Sequence, residues 1–307
     1  MSENLTPGGA SAAAAPFGRM LTAMITPFAG NGAVDYEGAG RLAEYLVDEM
    51  RNDGLVVSGT TGESPTTSDD EKQRLLAAVL EAVGDRATVL AGVGTNDTEH
   101  TCELASAAER AGAHGLLVVT PYYSKPPQNG LIAHFTRVAD ATGLPNLLYD
   151  IPGRTGTPIA VETLVRLAEH PKIVGVKDAK GDLGAGSWVM ARTPLVFYSG
   201  DDMLNLPWLA LGAAGFVSVV GHVAGDRLHD MIDAHAAGDV ARALRIHREL
   251  LPVYTGIFRN QGVILTKAAL GLLGLPAGPV RLPLADATPA EIERLREDLI
   301  AGGVKLR

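Results

Sequence analysis

The strongest constraint in this sequence is a repeat. A short apolar run followed by an amphipathic stretch recurs eight times between residue 20 and about residue 236. The apolar runs cover 20–26, 55–58, 88–92, 115–120, 146–151, 173–178, 195–200 and 215–220. Each is rich in leucine or β-branched residues and is bounded by Gly, Pro, Asp or Thr, the pattern of parallel strands buried on both faces. Between them, residues 37–50, 69–83, 98–110 and 130–141 carry apolar side chains at spacings of three and four, as surface helices do. Ser68, followed by Asp69, Asp70 and Glu71, reads as an N-cap with an acidic first turn. Eight strands, each followed by a helix, predict an α/β chain folded as a (β/α)8 TIM barrel. An open doubly wound sheet competes with it, but that arrangement predicts a Gly-rich dinucleotide turn after the first strand, and none is present.

After the eighth run the pattern becomes helix after helix, at 224–235, 239–251, 262–272 and 289–301. The first should close the barrel and the rest form a C-terminal helical extension. The expected organisation is therefore a flexible tail at 1–16, rich in Ala, Gly, Ser and Pro, a barrel at 17–236 and a helical domain at 237–307.

A formal net charge of −9 argues against a nucleic-acid surface, which needs clustered Lys and Arg. No apolar run approaches the ~20 residues that span a bilayer, and no basic, apolar leader opens the chain. The single cysteine, Cys102, allows no intrachain disulfide and reads as a buried helical thiol. These features predict a cytoplasmic protein with neither nucleic acid nor membrane as a partner.

In a TIM barrel the chemistry sits at the C-terminal strand ends. The sixth run reads Ile173-Val174-Gly175-Val176-Lys177-Asp178. A period of two puts Ile173, Gly175 and Lys177 inside and Val174 and Val176 against the outer helices, with Gly175 leaving room for the lysine. An interior lysine loses charge readily and can attack a ketone to form an imine. The same residue at a strand tip can instead reach solvent, and the local sequence does not choose between the two. In the fifth run Leu147, Tyr149 and Ile151 share a face. If that face is inward, the Tyr149 phenol points to the same mouth, where it could relay protons or simply pack. Arg154, in a loop bounded by Gly and Pro, suits a carboxylate or solvent. Ser58-Gly59-Thr60-Thr61-Gly62-Glu63-Ser64 offers hydroxyls and amides for a small carboxylate, or is a plain turn; Tyr122 and Tyr123 are read as exposed in a proline-stiffened loop.

Other chemistries lack their motifs. No histidine pair has zinc-protease spacing, Gly92-Val93-Gly94 is not completed as a dinucleotide turn, and no Gly-x-Ser-x-Gly occurs.

Taken together, GlyThrThrGlyGluSer at 59–64, ThrProTyrTyr at 120–123, TyrAspIleProGlyArgThrGly at 149–156 and GlyValLysAsp at 175–178 resemble the dihydrodipicolinate synthase / N-acetylneuraminate lyase family, in order and in spacing. The likeness runs from about Gly18 to the C-terminus. It implies a class I aldolase that needs no cofactor and no metal. Lys177 would form a Schiff base with pyruvate, Tyr149 would be the general acid/base, and Thr60 would link Tyr149 to Tyr123 in a hydroxyl relay. Thr61 would hold the pyruvate carboxylate, Arg154 that of the second substrate, and backbone carbonyls near Gly200 and Val217 would line the pocket. Tyr123 would reach a neighbouring subunit's site, in a homotetramer built as a dimer of dimers.

Sialic-acid lyases of the family generally lack an arginine at the position of Arg154. The resemblance therefore favours condensation of pyruvate with L-aspartate-4-semialdehyde to 4-hydroxy-tetrahydrodipicolinate, the first committed step of the diaminopimelate/lysine pathway. Another pyruvate-dependent aldolase, lyase or sugar-acid dehydratase is the alternative, and a catalytically silent binding paralogue a third reading. Asp150 departs from the family, where many members carry Asn, and by period two it should face away from the pocket. In members regulated by lysine, a carboxylate in an interface cleft holds an ammonium of the inhibitor. His100 occupies that position here, and Lys72 stands where some members have histidine, so inhibition by lysine should be weak or absent.

Overall fold

The structure, a computed structural model, describes residues 15–306. The expected tail at 1–16 lies outside the described residues except for Ala15 and Pro16.

Eight parallel strands close into a barrel in sequence order: β1 (Met20–Ala23), β2 (Gly54–Val57), β3 (Thr88–Gly92), β4 (Gly115–Val119), β5 (Asn146–Asp150), β6 (Ile173–Asp178), β7 (Val196–Ser199) and β8 (Gly215–Ser218). Pairing of β1 with β8 completes the ring. The ladders stop short of several apolar runs because the last residues turn outward to build the mouth. Met24 to Thr26 remain buried, for example, but the Ile25 N–H donates to His222 Nε2 at 3.1 Å and the Thr26 hydroxyl to the Gly62 carbonyl at 2.6 Å.

The helices of the barrel are α1 (Tyr36–Glu44), α2 (Asp69–Val83), α3 (Thr98–Arg110), α4 (Gln128–Asp140), the single turn α5 (Pro152–Thr155), α6 (Val161–Leu167), α7 (Leu183–Arg192), α8 (Asn205–Ala210) and α9 (Gly221–Ala236). The stretch read as one helix over 37–50 changes at Tyr45 into a wider π turn, Tyr45–Glu49. α2 opens on a complete capping box: Glu71 N–H donates to the Ser68 hydroxyl, and Ser68 N–H to the Glu71 carboxylate. Such caps are worth about 1 kcal/mol. Cys102 is buried, as its sequence context implies.

Three helices follow: α10 (Val240–Ile257), α11 (Gly262–Leu272) and α12 (Pro289–Ala301). The sequence pattern stops the first of these before Pro252, yet α10 runs on to Ile257. Proline forfeits one backbone hydrogen bond. Val253, Tyr254 and Ile257, all buried in the core shared by α9, α10 and α12, offset that loss. Among the described residues no helix is long and apolar enough to cross a membrane.

Side chains separate into an outer layer between strands and helices and an inner cluster inside the barrel, where Leu147, Tyr149, Tyr198 and Val217 meet. Phe17 closes the floor of that cluster, fully buried, with its carbonyl accepting from the Thr88 hydroxyl at 2.5 Å. In β6 strict alternation fails. Asn146 pairs with Ile173 but Leu147 pairs with Gly175, so a bulge falls at Val174. Ile173 consequently packs in the outer layer and Val174 against the interior, opposite to the period-two expectation. Beyond the bulge the alternation resumes, with Val176 outside and Lys177 inside.

Candidate active site

At the C-terminal mouth lies a cavity of about 460 Å³. Of the residues expected at a site, Thr60, Tyr123, Tyr149 and Arg154 line it. Thr61, Lys177 and Val217 are instead buried next to it, and Gly200 is partly buried there.

Lys177 and Tyr149 are partners on adjacent strands. The Lys177 ammonium stands 4.2 Å from the centroid of the Tyr149 ring, and the lysine is only 4% exposed. Burial lowers its pKa to about 8, the Arg154 charge lowers it further, and Asp202 opposes the fall. Room for the lysine stem comes from Gly200. A Cβ there would stand 2.9 Å from both Cγ and Cε of Lys177. The expectation that Gly175 supplies this space is corrected, since a Cβ on Gly175 would meet the Val196 carbonyl and Leu147.

Burial raises the Tyr149 phenol to about 12, against the pull of Arg154 and of a hydrogen bond with the Thr60 side chain. Tyr149 is thus held in its neutral form, with the Thr60 side chain hydrogen-bonded to it. Tyr123 sits in left-handed backbone (φ 73°) and is 89% exposed. Tyr122, also read as exposed, is half-buried instead, because it turns into the cavity wall. Arg154, on α5, faces the cavity and pairs with no carboxylate among the described residues.

The loop after β2 is held from outside the barrel. Glu63 has left-handed backbone (φ 56°), a strained state for a residue with a side chain. Its N–H donates to the Thr60 carbonyl at 3.1 Å. Its buried carboxylate meets Lys267 Nζ of α11 at 2.6 Å and accepts from the Arg281 N–H at 2.8 Å. Lys267 and Arg281 also flank the Phe28 ring, 4.0 and 4.3 Å from its centroid. The C-terminal extension therefore fixes the turn bearing Thr60 and Thr61. Gln261, Pro283 and Leu284 of the same extension complete the cavity wall.

Asp202 performs a similar task after β7. It accepts from Asn205 Nδ2, the Ser218 hydroxyl and the backbone N–H groups of Val219 and Val220, tying the β7 and β8 loops together beside Lys177. Sequence reasoning assigned no role to Glu63, Lys267, Arg281 or Asp202. A single lysine in the otherwise apolar stretch ValIleLeuThrLysAlaAlaLeu was the available signal for Lys267.

Away from the mouth, His100 Nε2 lies 2.8 Å from Asp69 Oδ2. Lys72 donates to the Thr67 carbonyl at 2.5 Å and stands 3.8 Å from the same Asp69 carboxylate.

The model of the dihydrodipicolinate synthetase family matches residues 16–301. Among curated relatives, "4-hydroxy-tetrahydrodipicolinate synthase 2" of Streptomyces coelicolor is 68% identical over 291 residues, 95% of this chain and 97% of the relative. The 4-hydroxy-tetrahydrodipicolinate synthase of Acidothermus cellulolyticus is 70% identical over 289 residues, 94% of each chain. Among solved structures, the dihydrodipicolinate synthase of Cyanidioschyzon merolae, with lysine bound, superposes with a TM-score of 0.92 at 42% identity, covering 94% of this chain and 99% of that one.

Proposed function

The chain belongs to the dihydrodipicolinate synthetase family, and from that premise we propose that it condenses pyruvate with L-aspartate-4-semialdehyde to give 4-hydroxy-tetrahydrodipicolinate. The observation that carries the reading is the buried Lys177 amine, lowered to about 8, facing Tyr149 under a cavity that also presents Arg154.

In this reading the neutral Lys177 amine adds to the pyruvate ketone, and loss of water gives an iminium. Removal of a methyl proton then yields the enamine that attacks the aldehyde carbon, and the amino group of the semialdehyde adds to the imine carbon and expels the Lys177 amine, closing the ring. The covalent imine is the electron sink, so no cofactor is invoked. Tyr149 supplies and removes the protons these steps require, with Thr60 and Tyr123 as its relay. Thr61 holds the pyruvate carboxylate, Gly200 and Val217 bound the space around the imine, and Arg154 receives the carboxylate of the semialdehyde.

The exposure of Tyr123, with its strained backbone, supports its insertion into a neighbouring subunit's site, and we include a homotetramer and a cytoplasmic setting in the proposal. Side-by-side assays of aspartate-semialdehyde and sugar-acid substrates test it. Turnover of the semialdehyde with pyruvate, with KM for the semialdehyde raised about tenfold or more in Arg154→Ala, is expected. Turnover of a sugar acid alone, indifferent to Arg154→Ala, would exclude it.

A further inference from the structure

One residue beyond each reacting side chain, β5 and β6 carry a second cross-strand pair, Asp150 and Asp178. Both are buried. Adjacent parallel strands lie about 4.8 Å apart, so two carboxylates at one level repel strongly unless a cation stands by. Lys180 is that cation. Its Nζ lies 3.2 Å from Asp150 Oδ2 and donates to the Ile159 carbonyl at 3.2 Å. Its own N–H and that of Gly181 donate to Asp178 Oδ1 at 3.1 and 2.8 Å, while Ile159 N–H donates to Asp150 Oδ1 at 3.2 Å. The loops after β5 and β6 are thereby closed on one another directly behind the Tyr149–Lys177 contact.

We propose that Lys180 is a positioning residue for imine formation: its ammonium lets Asp150 and Asp178 stand side by side and so keeps Tyr149 and Lys177 at their working separation. The inference rests on the reaction proposed above. The charged groups in play are Asp150 and Asp178, each repelling the other, and Lys180, which attracts both. Burial, with Asp150 adding to it, already lifts Asp178 to about 6. Without Lys180 the pair must share a proton instead. The strands then hold together at low pH and are pushed apart once that proton leaves.

The test is the rate of borohydride-trapped pyruvate adduct at Lys177, followed by peptide mass from pH about 6 to about 9. In the parent the rate rises with pH as Lys177 loses its proton. In Lys180→Met it should fall by about tenfold or more relative to the parent as pH rises, one pKa unit of repulsion being a factor of ten. Asp150→Asn/Lys180→Met, with a single carboxylate, should recover the parent's profile, as should Lys180→Arg. For a variant too unstable to assay, the thermal midpoint gives the same answer: Lys180→Met must lose more stability at high pH than at low, and the double variant must not. A Lys180→Met profile parallel to the parent's, whatever its height, overturns the inference, and so does a double variant that keeps the alkaline loss. Absence of any adduct at Lys177 in the parent would instead strike the reaction itself.

Discussion

Lys177 and Tyr149 face one another from neighbouring strands, the lysine ammonium 4.2 Å from the centroid of the phenol ring. Both are buried, and burial moves them in opposite directions on the pH scale: the amine down to about 8, the phenol up to about 12. The effect is to favour the neutral form of each. A neutral amine is a nucleophile and a neutral phenol is a proton donor, so one environment suits both residues to the imine-forming step proposed above.

That preparation has a cost in stability. The folded-state pKa of Lys177 is depressed, so the unfolded chain binds the proton more tightly. The penalty is full below pH 8 and disappears as pH rises towards the ordinary lysine value of 10.5. Lys177→Met should therefore unfold at higher denaturant than the parent at pH 7, by on the order of 3 kcal/mol, with the gain shrinking above pH 8. A destabilised variant at pH 7 would show that the amine is not held against its charge.

A side-chain hydrogen bond between Thr60 and the Tyr149 phenol restrains the rise of its pKa. Thr60→Val should leave pyruvate binding nearly unchanged while lowering kcat, and Tyr149→Phe should lower kcat by about 10²–10⁴-fold. Steady-state kinetics on the two variants separate the effects. A change confined to KM would remove Tyr149 from proton transfer.

Glu63 and Lys267 join the β2 loop to α11 through a buried ion pair at 2.6 Å. Breaking one side leaves an uncompensated charge, so Lys267→Met should cost about 3–5 kcal/mol. Glu63→Gln/Lys267→Met should recover much of that loss in chemical unfolding, while KM for pyruvate stays raised because the Thr60–Thr61 turn is less well held. Strict additivity of the two substitutions would contradict the coupling.

The Asp69 carboxylate is already met by His100 at 2.8 Å and by Lys72 at 3.8 Å. An incoming ammonium would find cationic Lys72 in its way, and no acidic group at position 100. Millimolar lysine should therefore leave the rate almost unchanged, and calorimetry should detect no tight binding. Strong inhibition by sub-millimolar lysine would refute this.

The barrel was legible because its eight strands and their helices each carry a periodicity that buried parallel strands and amphipathic helices impose locally. Asp69–Val83, Thr98–Arg110 and Ile173–Asp178 could be bounded to the residue, Ser68 marking the start of the first, while the cap at Asp97 was seen only in the structure. The alternation also put Leu147, Tyr149 and Ile151 on one face, but that this face is the inner one comes from the packing of the closed barrel. What local pattern cannot carry is a contact made by distant chain segments. The bulge at Val174 depends on how β5 and β6 register, and the space beside Lys177 comes from Gly200, just past the end of the next strand. Glu63 finds Lys267 some two hundred residues away, and neither residue's neighbours announce the other. Asp150 was expected to point away from the pocket, and it does: it faces Ile159 and Lys180 on the outer side.

The most direct test is chemical. The protein is incubated with pyruvate and borohydride across a pH series, digested, and its peptides weighed. The account predicts a reduced pyruvate adduct on the peptide carrying Lys177, forming faster as pH rises through about 8, and absent from Lys177→Met. An adduct on any other lysine, or none at any pH while pyruvate is being consumed, would contradict it.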